Sequence, residues 1–314
     1  MRFLKIFISI LILFPVLQGQ SQQIQHYSQY LLNEYAMNSA VAGLSPYYQA
    51  RVNNRYQWVG IVDAPRTFVL SLYGPDRKRD LGYGGYVFSD VTGPTTRTGL
   101  YGSYTYIMRV KGNKKLSFSL SAGLLQYKID GSKIILHDEG DPSLGDGIYS
   151  TYLPDANFSV YFKDIHYYAG LSAYQLMNNK FKFKTLEQLG INRVRTHFFL
   201  FGGYFFEIND DFEVEPSVVL KFMYPVPLQV DISVRTYYQK KVWLGVSFRT
   251  MDAMSFMIGY EHEKQLLFGY SYDLSVSNIK PYNSGTHELM LGYKFSKIKR
   301  SDFHSKIDIY GFSF

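Results

Sequence analysis

The sequence predicts an all-β protein, a transmembrane antiparallel up-and-down β-barrel of about 14 strands. Three observations point there. Apolar and polar residues alternate with period two through one segment after another, the repeat of a strand with one greasy face and one polar face. These segments run about ten to twelve residues, roughly twice the usual strand of a soluble domain and long enough to cross a bilayer at a tilt. Aromatic residues make up 18% of the 314 residues and charged residues only 19%, below the roughly 25% charged of an average soluble domain. Such a composition excludes disorder. Cysteine is absent, which excludes disulfides, thiolate metal sites, thiol nucleophiles and a lipidated N-terminal cysteine together.

Residues 1–21 read as a signal peptide. Arg2 and Lys5 give a basic start, Ile6 to Leu17 an apolar run, and Gly19-Gln20-Ser21 a small-x-small cleavage site. The apolar run is too short for a spanning helix, which needs about 20 residues. Loss of Arg2 and Lys5 with the leader lowers the formal charge from +7 to +5, an excess that calls for no nucleic-acid partner. Residues 22–46 lack the strand pattern and are expected to form an N-terminal periplasmic or plug segment. Beyond the leader the longest aromatic-rich stretch, Phe198 to Phe206, is short and contains Gly202-Gly203, so no helix is expected to span a membrane.

The barrel is expected over 47–295. Its strands fall at approximately 47–57, 65–73, 81–89, 97–110, 116–127, 155–163, 165–175, 194–208, 212–223, 227–238, 242–250, 254–261, 265–274 and 286–295. The clearest is 116–125, where Leu116, Phe118, Leu120, Ala122 and Leu124 share one face and Ser117, Ser119, Ser121 and Gly123 the other. Phe212, Val214, Val218, Leu220 and Phe222 likewise oppose Glu213, Glu215, Ser217 and Lys221. Leu228, Val230, Ile232 and Val234 oppose Gln229, Asp231, Ser233 and Arg235, and the next two strands repeat the pattern. A soluble sandwich also alternates. Strand length, export, and aromatic pairs near strand ends (Tyr47-Tyr48, Tyr167-Tyr168, Tyr237-Tyr238) favour the barrel, whose closure satisfies every backbone group in lipid.

Connection lengths supply an independent check. If the first strand starts in the periplasm, the periplasmic turns are 74–80, 111–115, about 164, 209–211, 239–241 and 262–264, all short. The two long connections, 128–154 and 176–193, then both fall outside, and an error of one among the early strands would break this segregation. The last strand ends at Tyr293-Lys294-Phe295, which resembles the terminal signature read by barrel assembly machinery. A basic C-terminal tail, 296–314, follows, and its own ending, Tyr310-x-Phe312-x-Phe314, offers an alternative signature.

Signals for chemistry are sparse. The seven histidines (26, 137, 166, 197, 262, 287 and 304) are scattered singly, without His-x-x-x-His or His-Glu-x-x-His spacing, so neither catalysis nor a metal site is expected. Asp138, Glu139, Asp141 and Asp146 gather on one loop as oxygen donors for Ca²⁺, but without the spacing of an EF-hand; a solvated surface loop is the plainer reading. Gly82-x-Gly84-Gly85 lies inside a strand pattern with no following helix, so it is not a dinucleotide fingerprint and instead permits curvature or close packing by a neighbouring segment. No cofactor is expected.

The inward charges are more informative. A hairpin closing at 224–226 with a register sum of 450 sets Glu215 opposite Arg235, and one closing at 239–241 with a sum of 480 sets Asp231 opposite Arg249. Both sums keep every strand's lumen face inward, as a slip of one residue would not. Glu213, Glu215, Lys221, Asp231, Arg235 and Arg249 are thus expected to form a lumenal charge ladder. A conducting pore could use such a ladder, whereas paired charges are the ordinary filling of a barrel interior. Fourteen strands lie between the side-chain-filled eight and the open sixteen to eighteen, so a plug by 24–46 or by 128–154 is expected.

Short motifs recur in a recognisable order. Gln25 to Tyr30, with Gln29-Tyr30 at its end, precedes Asn38-Ser39-Ala40-Val41-Ala42-Gly43. Then come Tyr56-Gln57-Trp58-Val59-Gly60 with Ala64-Pro65, Gly82 to Gly85, Gly93-Pro94-Thr95-Thr96-Arg97-Thr98-Gly99-Leu100, and Ala122-Gly123-Leu124 with Asp130-Gly131. Tyr168-Ala169-Gly170, Glu215-Pro216-Ser217, Pro227 to Asp231, Trp243-Leu244-Gly245 and Ser284 to Tyr293 complete the series. In combination they resemble the PorP/SprF family of type IX secretion system outer-membrane proteins along the whole mature chain. Two departures are Ser39, where the family has proline, and His26-Tyr27, where Asp-Pro or Phe is usual.

The resemblance implies a non-catalytic barrel of the bacterial outer membrane, part of the type IX secretion and gliding machinery. Such a barrel binds, anchors or assists secretion of a cell-surface protein carrying a C-terminal sorting domain, and it contacts other type IX components. The two long outer loops, with Asp138, Glu139, Asp141 and Asp146, are the expected partner contacts outside. The basic turns Arg77-Lys78-Arg79, Lys111 to Lys115 and Lys240-Lys241, with the tail, are those inside. The rival reading is an outer-membrane channel or transporter for a small or hydrophobic solute.

Overall fold

The computed structural model describes residues 28–29, 32–134, 147–181 and 192–298. Within them fourteen long strands follow one another: β1 (Tyr48–Tyr56), β2 (Arg66–Pro75), β3 (Leu81–Thr92), β4 (Thr95–Arg109), β5 (Lys115–Asp130), β6 (Ile148–Lys163), β7 (Tyr167–Tyr174), β8 (His197–Tyr204), β9 (Phe212–Met223), β10 (Val226–Tyr238), β11 (Val242–Arg249), β12 (Ala253–His262), β13 (Leu266–Ser275) and β14 (Thr286–Phe295). Each pairs antiparallel with its neighbours in sequence, β8 joins β7 to β9, and β14 pairs with β1 from Tyr48↔Phe295 to Tyr56↔His287. The sheet therefore closes on itself. No helix among the described residues is long and apolar enough to cross a membrane.

The alternation read from the sequence becomes the two faces of this wall. On β5, Leu120 is 60% exposed on the outside while Ser117, Ser119 and Ser121 are buried inside. On β11 and β12, Leu244, Val246, Phe256 and Ile258 face out and Trp243, Ser247, Ser255 and Met257 face in. The end where β1 starts and β14 finishes, the lower end, carries short turns; the upper end carries the two long connections.

The upper connections differ in extent from the expectation. β5 and β6 stay paired up to Lys128↔Ser150 and Asp130↔Ile148, so the connection expected over 128–154 is confined to 131–147. The β-prone run Tyr149-Ser150-Thr151-Tyr152 extends the ladder, its residues alternating between half-buried and exposed. The connection expected over 176–193 contains a two-residue pairing, Lys180↔Arg193 and Phe181↔Asn192. The eighth strand, expected to run unbroken over 194–208, is interrupted at Phe205, whose buried position and N–H to His166 O (2.7 Å) take it out of the ladder; pairing resumes at Phe206↔Val214.

The core lies inside the barrel, between its wall and its own N-terminal segment. Residues 32–45 are almost entirely buried, and Leu32, Tyr35, Met37, Ala40, Val41 and Leu44 pack against Tyr73, Tyr101, Ile107, Tyr161, Trp243 and Met290 of the wall. A one-turn helix, α1 (Glu34–Met37), is followed by a 3₁₀ turn at Ser39–Val41 that Asn38 caps, its side chain accepting from Ala40 N at 3.0 Å. The segment leaves at the lower end past Gly43, at φ +85°, which lies so close to β3 that a Cβ on Gly82 would stand 2.1 Å from Ala42 O. This is the close packing by a neighbouring segment that the glycine run implied.

Candidate functional site

Strand parity decides which polar side chains enter the lumen, and the buried inward charges gather at two levels. At the upper level Arg55 of β1 reaches Asp273 of β13 (2.8 Å) and Glu288 of β14 (3.0 Å). Arg249 of β11 reaches Asp231 of β10 (3.1 Å) and Asp252 (2.9 Å). Ser28 of the plug sits between the two arginines. Its hydroxyl accepts from Arg55 Nη1 (2.9 Å) and Arg249 Nη2 (3.1 Å) and donates to Asp273 Oδ2 (2.6 Å). The backbone N–H groups of Ser28 and Gln29 both donate to the Glu288 carboxylate, at 2.7 and 3.2 Å. Ions removed from water are tolerated only when paired and hydrogen-bonded; here the plug supplies part of that satisfaction, so wall and plug complete one another.

At the lower level Glu215 and Arg235 stand opposite each other on β9 and β10, and Glu215 also accepts from Tyr168 and Tyr237. Lys294 donates to Glu261 at 2.8 Å, both buried. Glu34 of the plug lies near this group and accepts from Tyr161 OH at 3.3 Å. Its burial pushes its pKa up to about 8; Lys163 opposes that rise and the Glu215 carboxylate adds to it.

The register sums of 450 and 480 are those of β9–β10 and β10–β11, so Glu215↔Arg235 and Asp231↔Arg249 are cross-strand pairs. Glu213 faces Tyr237 and reaches Lys240 of a lower turn only at 3.8 Å, and Lys221 faces Gln229 and lies 5.5 Å over the Phe199 ring. Three charges that hold the plug, Arg55, Asp273 and Glu288, stand outside the expected ladder, and of these only Glu288 falls within a family motif. Their signal was present, since the same inward parity on β1, β13 and β14 selects them.

The motif residues separate into three groups. Gln29, Asn38 and Gly43 belong to the plug: Gln29 Nε2 donates to Glu288 O (2.9 Å), and Asn38 Nδ2 donates to Val160 O and Leu171 O of β6 and β7. Gln57, Trp58, Gly60, Gly93, Pro94, Asp130 and Gly131 tie the upper connections together. Gln57 N donates to Pro65 O, Trp58 N to Thr286 Oγ1, Gly93 N to Asp63 O, Asp130 N to Pro94 O and Gly131 N to Gly147 O; Gly60 has φ +103°. Arg97 pairs with Asp90 inside the wall, while Gly99 and Gly123 pack under Phe88 and Tyr101. Tyr30 and the loop acids Asp138, Glu139, Asp141 and Asp146 lie outside the described residues, as do residues 1–21, where a signal peptide is expected, and the tail from 299.

Of the four described histidines, His197 contacts Arg195 O, His262 pairs with Tyr260, His287 with Tyr270, and His166 stacks on Tyr204. No three His, Asp or Glu side chains among the described residues are disposed to hold a metal ion.

Above the plug the lumen keeps open space. A cavity of about 50 Å³ lies over Ala36 and Met37 against Tyr86, Phe88, Tyr101 and Phe199. A second, of about 260 Å³, opens beside it toward the upper rim, bordered by Trp58, His197, Met223 and Met251. Phe199 and Lys221 line both.

Comparison with known proteins gives one family. The family model described as Type IX secretion system membrane protein PorP/SprF matches residues 19–293. No curated protein matches the chain significantly. Among solved structures, the Acinetobacter baumannii outer membrane protein Omp33 is similar at 8% identity and TM-score 0.44, over 81% of this chain and 100% of that one. The KdgM porin is similar at 9% identity and TM-score 0.37, over 79% and 99%. A mutant Rh. blastica porin gives 9% and 0.33 over the same shares.

Proposed function

The chain belongs to the PorP/SprF family of type IX secretion system membrane proteins, and from that premise we propose that it is a non-catalytic anchor that holds or hands on a secreted protein at the cell surface. As a membrane protein whose strands close into a barrel, it resides in the bacterial outer membrane. Its partner is a secreted cargo bound through a C-terminal sorting domain, with the upper connections facing outward and the basic lower turns Arg77-Lys78-Arg79, Lys111 to Lys115 and Lys240-Lys241 facing periplasmic components of the same machinery.

The observation that carries this reading is the filled lumen. The segment 32–45 packs against the wall along its length, and Ser28 and Gln29 are fixed to four charged side chains of the wall. A barrel so filled offers its surroundings a mouth and loops instead of a conduit, which favours binding over solute passage.

Purification from its own membrane in mild detergent tests the role. A large secreted protein should co-purify, and removal of that protein's C-terminal domain should abolish recovery. A stable ohmic conductance from the purified barrel, with no secreted protein attached, would overturn the anchor in favour of a channel.

A further inference from the structure

One strand of the wall stands well above its neighbour. β6 pairs with β5 along its whole length, from Lys115↔Lys163 up to Asp130↔Ile148, but with β7 only from Lys163↔Tyr168 up to Phe158↔Ala173. Residues 148–157 therefore have a strand on one side alone. The tilt of a barrel staggers adjacent strands by roughly one residue, so most of this step is a projection of the β5–β6 ladder above the rim. The foot of the projection is covered from the side of β7: Leu176 N donates to Ala156 O (3.0 Å) and Asn179 Nδ2 to Pro154 O. Ala156 and Pro154 thus turn their main-chain groups that way, and alternation extends the row to Tyr152, Ser150 and Ile148. None of these three has a main-chain partner on that side among the described residues.

Hydrocarbon does not tolerate bare backbone, so this row of N–H and C=O groups stands beyond the lipid, in water, at the upper end. Open edges are ordinarily blunted by charge, proline or a bulge. The stretch from Ile148 to Leu153 reads Ile-Tyr-Ser-Thr-Tyr-Leu, without charge or proline, and its register on β5 is unbroken. Proline comes only at 154, where the covered part begins. At about 3.3 Å per residue the open stretch is about 20 Å long, the length of an ordinary strand. Ile148 and Tyr152 are 64% and 60% exposed on the outside, while Leu153 is buried and Thr151 half-buried on the inside. We propose that this edge receives an extended segment of the secreted partner by strand addition, antiparallel to β6 and in line with β7. Main-chain bonds to Ile148, Ser150 and Tyr152 hold the segment, and uncharged residues with branched or aromatic side chains fit beside Tyr152 and Leu153. Two copies upright in one membrane run their β6 strands in the same direction, so self-pairing does not continue the antiparallel ladder. The proposal rests on the anchoring role above and names where the partner is held.

Residue-resolved amide exchange on the mature barrel in detergent micelles reads the edge directly. In the barrel alone, the Ser150 and Tyr152 amides should exchange at least tenfold faster, after correction for intrinsic rates, than those of Thr151 and Leu153, which turn toward β5. In the complex purified with the secreted protein, the Ser150 and Tyr152 amides should slow at least tenfold. Ser150→Pro removes an N–H that points away from β5, so the folded gel band should persist while recovery of the secreted protein falls at least tenfold. Ser150→Ala should recover it as the wild type does. Equal protection of all four amides in the barrel alone would mean that its own chain covers the edge, and slowing that tracks barrel concentration without the secreted protein would give the edge to a second copy. Either result would overturn the proposal, as would unchanged exchange in the complex. Should Ser150→Pro lose the folded band, exchange in the wild-type complex decides. If the folded proline barrel recovers the secreted protein in full, the edge is wrong and the anchoring role stands; if the wild-type barrel recovers none, the anchoring role fails and the edge with it.

Discussion

Arg235 Nη2 stands 2.5 Å from Glu215 Oε2 with both side chains almost wholly buried, and Tyr168 and Tyr237 each donate to the same carboxylate at 2.7 Å. Removing one member of such a pair strands the other charge in a low-dielectric interior, at a cost of about 3–5 kcal/mol. Glu215→Gln is therefore expected to lower barrel stability by about that much, read as the urea midpoint of the heat-modifiable gel band. Glu215→Leu combined with Arg235→Met should recover most of the loss. Equal midpoints for Glu215→Gln and wild type would show that the pair holds nothing.

Planar-bilayer recording is expected to find the wild-type barrel silent. Deletion of 24–45 from a barrel that still shows the folded gel band should yield a stable ohmic conductance, since the lumen loses the segment that packs against Tyr73, Tyr101 and Tyr161. Glu288→Gln, which weakens the carboxylate that accepts from Ser28 N and Gln29 N, should give brief openings between these extremes.

Plug seating should weaken with rising pH. Burial pushes Glu34 up to about 8 from 4.5, so between those values the seated plug binds more protons than a released one. Seating is then strongest below pH 4.5, falls as pH climbs through the window, and is level above about 8. Protection factors for amide exchange over 32–45, corrected for intrinsic rates, should fall from pH 5 to pH 8, and Glu34→Gln should flatten the trend.

Gly82→Ala is expected to unseat the plug while leaving the wall intact. The added Cβ would meet Ala42 O at 2.1 Å and Gly43 N at 2.8 Å, backbone atoms with no side-chain freedom to yield. Exchange protection should drop over 38–45 and persist in the strands; unchanged protection over 38–45 would mean that the plug lies elsewhere.

Much of the wall was legible because lipid imposes a strict rule: on a strand with one face in hydrocarbon, parity alone separates Leu120 from Ser121 and fixes Glu215 opposite Arg235. The family motifs were legible as a series, while their roles were not. Asn38 and Gln29 act on strands far away in sequence, donating to Val160 O and Glu288 O, and no local pattern encodes a partner at that distance. The interruption at Phe205 was missed because an aromatic residue continues a strand pattern as readily as it breaks one.

The contact between Ser28 and Glu288 spans 260 residues of chain. Contacts of such range form last, after the loop they close has lost its freedom. The plug therefore finds its Glu288 carboxylate only when the final strand has arrived, and a chain halted before Thr286 leaves Arg55 with Asp273 alone and the backbone N–H groups of Ser28 and Gln29 without their acceptor. Completion of synthesis is registered at the amino end, inside the molecule, as a seated serine.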